Sequence, residues 1–165
     1  MMRELYMKQR MMSLRGNFTV RDADERDVYF AQGSFMQIPK TFLVADSNQK
    51  EVAFITKKPF SMLPTFFVEV DGMERLTIKK EFTFLKARYS IFGAGVEIEG
   101  NWWDMNFEVM RNGELIGRVD KKWFSWGDSY RLQIVKEEDE ILFVSLVIAI
   151  DYVKASQAAA SAGAT

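Results

Sequence analysis

Residues Ile141 to Ile150 form an apolar run interrupted only by Ser145. Four acids, Glu137, Glu138, Asp139 and Glu140, precede it, and Lys154 and an alanine-rich stretch follow. Acid at the start and base at the end suit a helix macrodipole, and 138–154 is too long for one more strand in this chain. A helix apolar on nearly every side must be surrounded by protein. The rest of the chain therefore has to supply a wall around a rod about 25 Å long.

That wall reads as strands. β-branched and aromatic bursts recur at 4–9, 17–21, 28–32, 41–45, 51–56, 65–70, 74–80, 88–92, 96–99, 106–110, 115–121 and 129–135, separated by turn residues. Asp22 to Asp27, Asp46-Ser47-Asn48, Asp71-Gly72 and Asn112-Gly113 supply the turns, the last being a strong two-residue hairpin signal. Barrels of eight strands are filled by their own side chains, whereas wider ones have room for a central helix. The expectation is a mainly β fold: a closed twelve-stranded antiparallel barrel enclosing a hydrophobic carboxyl-terminal α-helix. Residues 1–154 form the single domain, with the helix at about 138–154, and 155–165 form a flexible Ala/Ser-rich tail.

An internal repeat agrees with twelve as two sixes. An offset of 71 lays Leu5, Lys8, Phe18 and Val20 over Leu76, Lys79, Tyr89 and Ile91. An offset of 64 lays Ile55, Lys57, Lys58, Phe66 and Val68 over Val119, Lys121, Lys122, Tyr130 and Leu132. Each half holds the same order of features, as a duplicated half-barrel would.

Leu5-Tyr6-Met7-Lys8-Gln9-Arg10, Ile78-Lys79-Lys80-Glu81-Phe82-Thr83-Phe84, Lys121-Lys122-Trp123-Phe124-Ser125-Trp126-Gly127-Asp128-Ser129-Tyr130 and Val147-Ile148-Ala149-Ile150-Asp151 together resemble the bacterial branch of the LURP-one-related family. The resemblance spans about residues 3–153 and is most specific in the Lys-Lys-Trp-Phe-Ser-Trp stretch. It implies a tubby-like fold and kinship with phosphoinositide-binding tubby domains and with phospholipid scramblases. It implies no activity, and the tubby lipid-binding motif has no match here, so no lipid-site residue carries over.

Composition narrows the chemistry. The chain contains no His and no Cys. Disulfides, the usual zinc sites, cysteine nucleophiles and histidine bases are excluded. A net charge of −1 gives no electrostatic reason to expect nucleic acid. Charged residues within Met1 to Arg10 argue against a secretory peptide, and the apolar run is too short to cross a bilayer, so a cytoplasmic setting is expected. Phe92-Gly93-Ala94-Gly95 lacks the third glycine of a dinucleotide loop, and the acidic turn 22–27 lacks the closing glutamate of a calcium loop. Both read as turns. No catalytic, cofactor or metal site is expected.

The recurring polar feature is the lysine pair: Lys57-Lys58, Lys79-Lys80 and Lys121-Lys122. Adjacent strand residues face opposite ways, so at most one lysine of each pair can face the barrel interior and the other must face water. The outward members, with Phe60 and Trp123 beside them, form a candidate basic rim for an anionic phospholipid headgroup or membrane surface. The plain alternative is that strand-end lysines keep edges soluble. The functional expectation is thus a non-enzymatic binding or regulatory module, peripheral to a membrane. A protein-interaction scaffold and a carboxylate- and Mg²⁺-dependent enzyme are the competing readings. Asp151, near the end of the apolar run, must be paired or neutral if buried, with a strand-borne Lys or Arg as the natural partner.

Overall fold

A computed structural model describes residues 2–8, 17–34, 41–82, 87–124 and 127–163. Twelve antiparallel strands run in order: β1 (Arg3–Lys8), β2 (Phe18–Asp22), β3 (Asp27–Gly33), β4 (Thr41–Asp46), β5 (Glu51–Lys57), β6 (Thr65–Val70), β7 (Leu76–Phe82), β8 (Ala87–Phe92), β9 (Val96–Asn101), β10 (Asn106–Arg111), β11 (Glu114–Phe124) and β12 (Gly127–Ile134). A short 3₁₀ turn, Glu137–Asp139, leads into α1 (Glu140–Gly163).

Each strand pairs with the next, and β1 returns to β12 in a register that runs from Arg3 opposite Ile134 to Lys8 opposite Ser129. The exception is the seam between β8 and β9, the two edges of the sheet. The expected closed barrel is therefore nearly closed. At the seam the chain turns through Gly93, Ala94 and Gly95, all at positive φ. A side chain at Gly95 would meet the Asn112 Oδ1, and one at Gly93 the Arg75 carbonyl at 2.6 Å. The two glycines that suggested a nucleotide loop serve a crowded turn.

Alternation explains the wall. Leu5 and Met7, Ile55, Phe66 and Val68, Leu76 and Ile78, and Leu132 and Ile134 all face inward and are buried. The repeat is visible in this pattern: β1 to β6 correspond in order to β7 to β12, and both halves bulge at the same place, after Val44 in β4 and after Val109 in β10. Through the centre runs α1, whose residues 142–150 are all completely buried, on every side of the helix. Each large apolar side chain withdrawn this way contributes about 1.5–3 kcal/mol. The approach is close: a Cβ on Gly117 of β11 would sit 2.5 Å from the Phe143 ring.

The helix does not stop where its buried stretch does. The sequence reading ends it at 154, but its hydrogen bonding continues to Gly163. Alanine is the best helix former, so the ladder persists past the last residue with anything to bury.

Candidate functional site: the helix-exit mouth of the barrel

In an up-and-down meander every odd-numbered strand finishes at the same end. β5, β7 and β11 are odd-numbered, and each carries a lysine pair at or near its finish. β12 finishes at the opposite end, so α1 starts there and runs back to the lysines. All three pairs therefore lie around the mouth where the helix exits.

The pairs split as the alternation requires, and the inward members stand at separate points around the helix. Lys57 shares the inward face of Ile55; it is half-buried, with its Nζ 5.9 Å from the centre of the Phe66 ring. Lys80 shares the face of Leu76 and Ile78; its Nζ lies 6.0 Å from the Tyr89 ring and donates to Gln157 Oε1 on α1 at 3.0 Å. Lys121 shares the face of Gly117 and Val119 and is exposed, whereas Tyr130, its partner across on β12, is buried. The helix contributes a fourth cation. Burial, and then the neighbouring Lys121 charge, hold the Lys154 ammonium below the usual lysine range, while Asp151 and Asp104 act in the opposite sense.

The outward members are dispersed. Lys58 and Lys79 are exposed, on the loop after β5 and on the outer wall of β7. Lys122 lies 3.7 Å from Asp120, a carboxylate already held by Arg131 through bonds of 2.9 and 2.7 Å. The inward members thus form a spaced collar around the helix exit, and the outward members stand on the outer side of the same end. Trp123 pairs through its backbone with Asp128, and its side chain lies outside what the structure describes. Ser125, Trp126, Arg15, Lys86, Met11 and Met12 also lie outside the described residues.

Aromatic rings line the collar. Tyr152 of α1 packs 4.4 Å from Phe42 and 5.3 Å from Phe66, and burial pushes its phenol up to about 12. Tyr89 stacks on Trp103 at 5.7 Å, meets Trp102 edge-on at 5.9 Å, and donates to the same Gln157 oxygen that Lys80 binds, at 3.2 Å. This cluster bridges the seam, joining β8 to the β9–β10 turn. Sequence reasoning missed Tyr89 and Gln157; the repeat, which lays Phe18 over Tyr89, was the available signal. Asp151 is buried, a point the sequence leaves open, and lies within Coulombic reach of Lys154 three residues on.

The far end has the opposite character. It holds the acidic turns 22–27, 46–51 and 71–74 and the acids before α1. The acidic turn read as half a calcium loop closes on itself: Asp22 Oδ1 accepts the backbone N–H groups of Asp24 and Arg26 at 2.9 and 3.0 Å. Among the described residues, no group of three or more acidic side chains is placed to hold a metal ion, and no helix is long and apolar enough to cross a membrane.

A twelve-stranded sheet wrapped on its own carboxyl-terminal helix is the architecture the resemblance implied. The chain belongs to the LURP-one-related family, whose model matches residues 3–151. The uncharacterized protein YxjI of Bacillus subtilis is 35% identical over 150 residues, 91% of this chain and 93% of that one. An X-ray structure of a protein from Arabidopsis thaliana shares the fold at a TM-score of 0.65 and 14% identity, over 92% of this chain and 91% of that one.

Proposed function

We propose that the helix-exit mouth binds anionic phospholipid headgroups and that the protein is a non-enzymatic binding or regulatory module acting at a membrane surface. The observation that carries this reading is the collar: Lys57, Lys80 and Lys121 arrive from three strands around one helix end, beside Lys154. Four cations spaced round a rigid plug can each meet a separate lipid phosphate through a charge-assisted hydrogen bond. Each cation near a charged bilayer is worth about 1 kcal/mol. The outer lysines Lys58, Lys79 and Lys122, with Trp123, extend the same end. The helix occupies the interior that a substrate would need, which supports binding rather than catalysis. The test is flotation with phosphatidylcholine vesicles containing or lacking anionic lipid, comparing wild type with Lys57→Gln/Lys121→Gln. Binding that requires anionic lipid and falls about tenfold or more in the variant is expected. Equal binding to both vesicle types, or none, rejects the reading.

A second reading, a protein-interaction scaffold, draws on one specific observation. Phe30 and Phe54, each 39% exposed, face outward on β3 and β5 on either side of β4, with Leu43 of β4 directly opposite Phe54. Loss of a specific protein partner on Phe30→Ser/Phe54→Ser, with vesicle binding absent in wild type, would favour it.

A further inference from the structure

The β5–β6 connection, residues 58–64, stands at the same mouth and carries two apolar side chains with nothing packed on them. Phe60 is 97% exposed and Met62 100%, whereas the next most exposed large apolar side chain among the described residues, Phe92, reaches 51%. The base of the loop is pinned: Lys58 N donates to the Thr65 carbonyl at 2.8 Å, and Lys80 N to the Pro64 carbonyl at 2.9 Å. Pro59 and Pro64 restrict the chain further. The tip therefore projects from a fixed root. Phe60 also sits at φ +55, a region that bulky residues rarely occupy and that glycine or asparagine would occupy at lower cost. Neither folding nor solubility accounts for a phenylalanine in this conformation facing water.

We propose that residues 58–64 form a membrane-insertion loop, with Phe60 and Met62 entering the boundary between headgroups and acyl chains. The charge beside the loop selects the occupant. Exposed Lys58, Lys79 and Lys121 share its end of the barrel, and apolar tips flanked by cations match a bilayer surface: side chains sink into the apolar layer while ammonium groups stay with phosphates. This rests on the headgroup reading of the mouth and adds an orientation to it, with the helix exit toward the membrane and the acidic end away.

The chain has no cysteine, so a cysteine introduced by Met62→Cys takes a polarity-sensitive fluorophore at one place. Asn48→Cys, on the exposed β4–β5 turn at the opposite end, is the control. With vesicles of phosphatidylcholine and phosphatidylserine, the label at 62 shifts to the blue and is quenched by nitroxide on the acyl chains, and the label at 48 does neither. Phe60→Ser/Met62→Ser weakens vesicle binding about tenfold or more. Its melting temperature is unchanged, since both side chains already face water in the folded protein. If vesicle binding survives in the serine variant, or the bound label at 62 stays in water, the loop does not insert and the headgroup reading stands alone. Equal insertion into neutral phosphatidylcholine keeps the loop and removes the headgroup reading. An absence of vesicle binding overturns both, and a dimer that the serine variant abolishes would then assign the loop to a second copy of the chain.

Discussion

Tyr152 lies where the buried core meets the mouth, and its proton makes that boundary measurable. In the unfolded chain its phenol titrates near 10, whereas burial among Phe42 and Phe66 pushes it to about 12 in the fold. Between those values the folded protein holds a proton that the unfolded chain has lost, so stability is full below pH 10 and falls as pH rises toward 12. Tyr29 acts in the same direction, because burial and its hydrogen bond to Glu140 also raise its phenol. Urea unfolding at pH 9 and pH 11.5 should show a smaller loss for Tyr152→Phe than for wild type; equal losses would mean that the Tyr152 proton is not linked to folding. Tyr152 lies two residues beyond the apolar run 141–150 and was not singled out from the sequence. Its partners come from β4 and β6, too far along the chain for any local pattern to join them.

The helix is fastened at its two ends by different means. At its start, Arg111 of β10 pairs with buried Asp139, while Glu140 Oε1 accepts from Arg3 of β1 at 2.6 Å and from Tyr29 of β3 at 2.7 Å. At its exit, Gln157 takes lighter bonds from Lys80 and Tyr89. Arg111→Ala strands a carboxylate that is only 5% exposed and should cost about 2–3 kcal/mol in thermal or urea unfolding. Asp139→Asn in the same chain should restore part of it, since a neutral amide is cheaper to bury than an ion. The acids before the helix were read from sequence as partners of its dipole. Two of them are also locks to distant strands, with Arg3 137 residues from Glu140 and Arg111 28 residues from Asp139. Spacing along a helix reports what lies on its own surface, and these partners lie on the wall.

On the scale of the whole molecule, the strand count, turn positions and enclosed helix were legible because each is a local pattern: alternation, turn chemistry, or an apolar run with charged ends. The segregation of charge was not. Net charge averages over the chain, and only the alternation of strand direction sends Lys57, Lys80 and Lys121 to one end and the acidic turns to the other. Among the described residues, the inner faces of the strands have the helix to close on. A chain ending at Val135 should therefore self-associate when examined by sedimentation, and a peptide covering residues 137–163 should restore a monomer; a soluble folded monomer without the peptide would contradict the packing described. The same dependence bears on how the protein is made. The helix leaves the ribosome after all twelve strands, and a sealed ring would have to be threaded end-on. With β8 and β9 as unjoined edges, the sheet can instead curl around the late helix from the side, and no finished backbone pairing has to break to admit it.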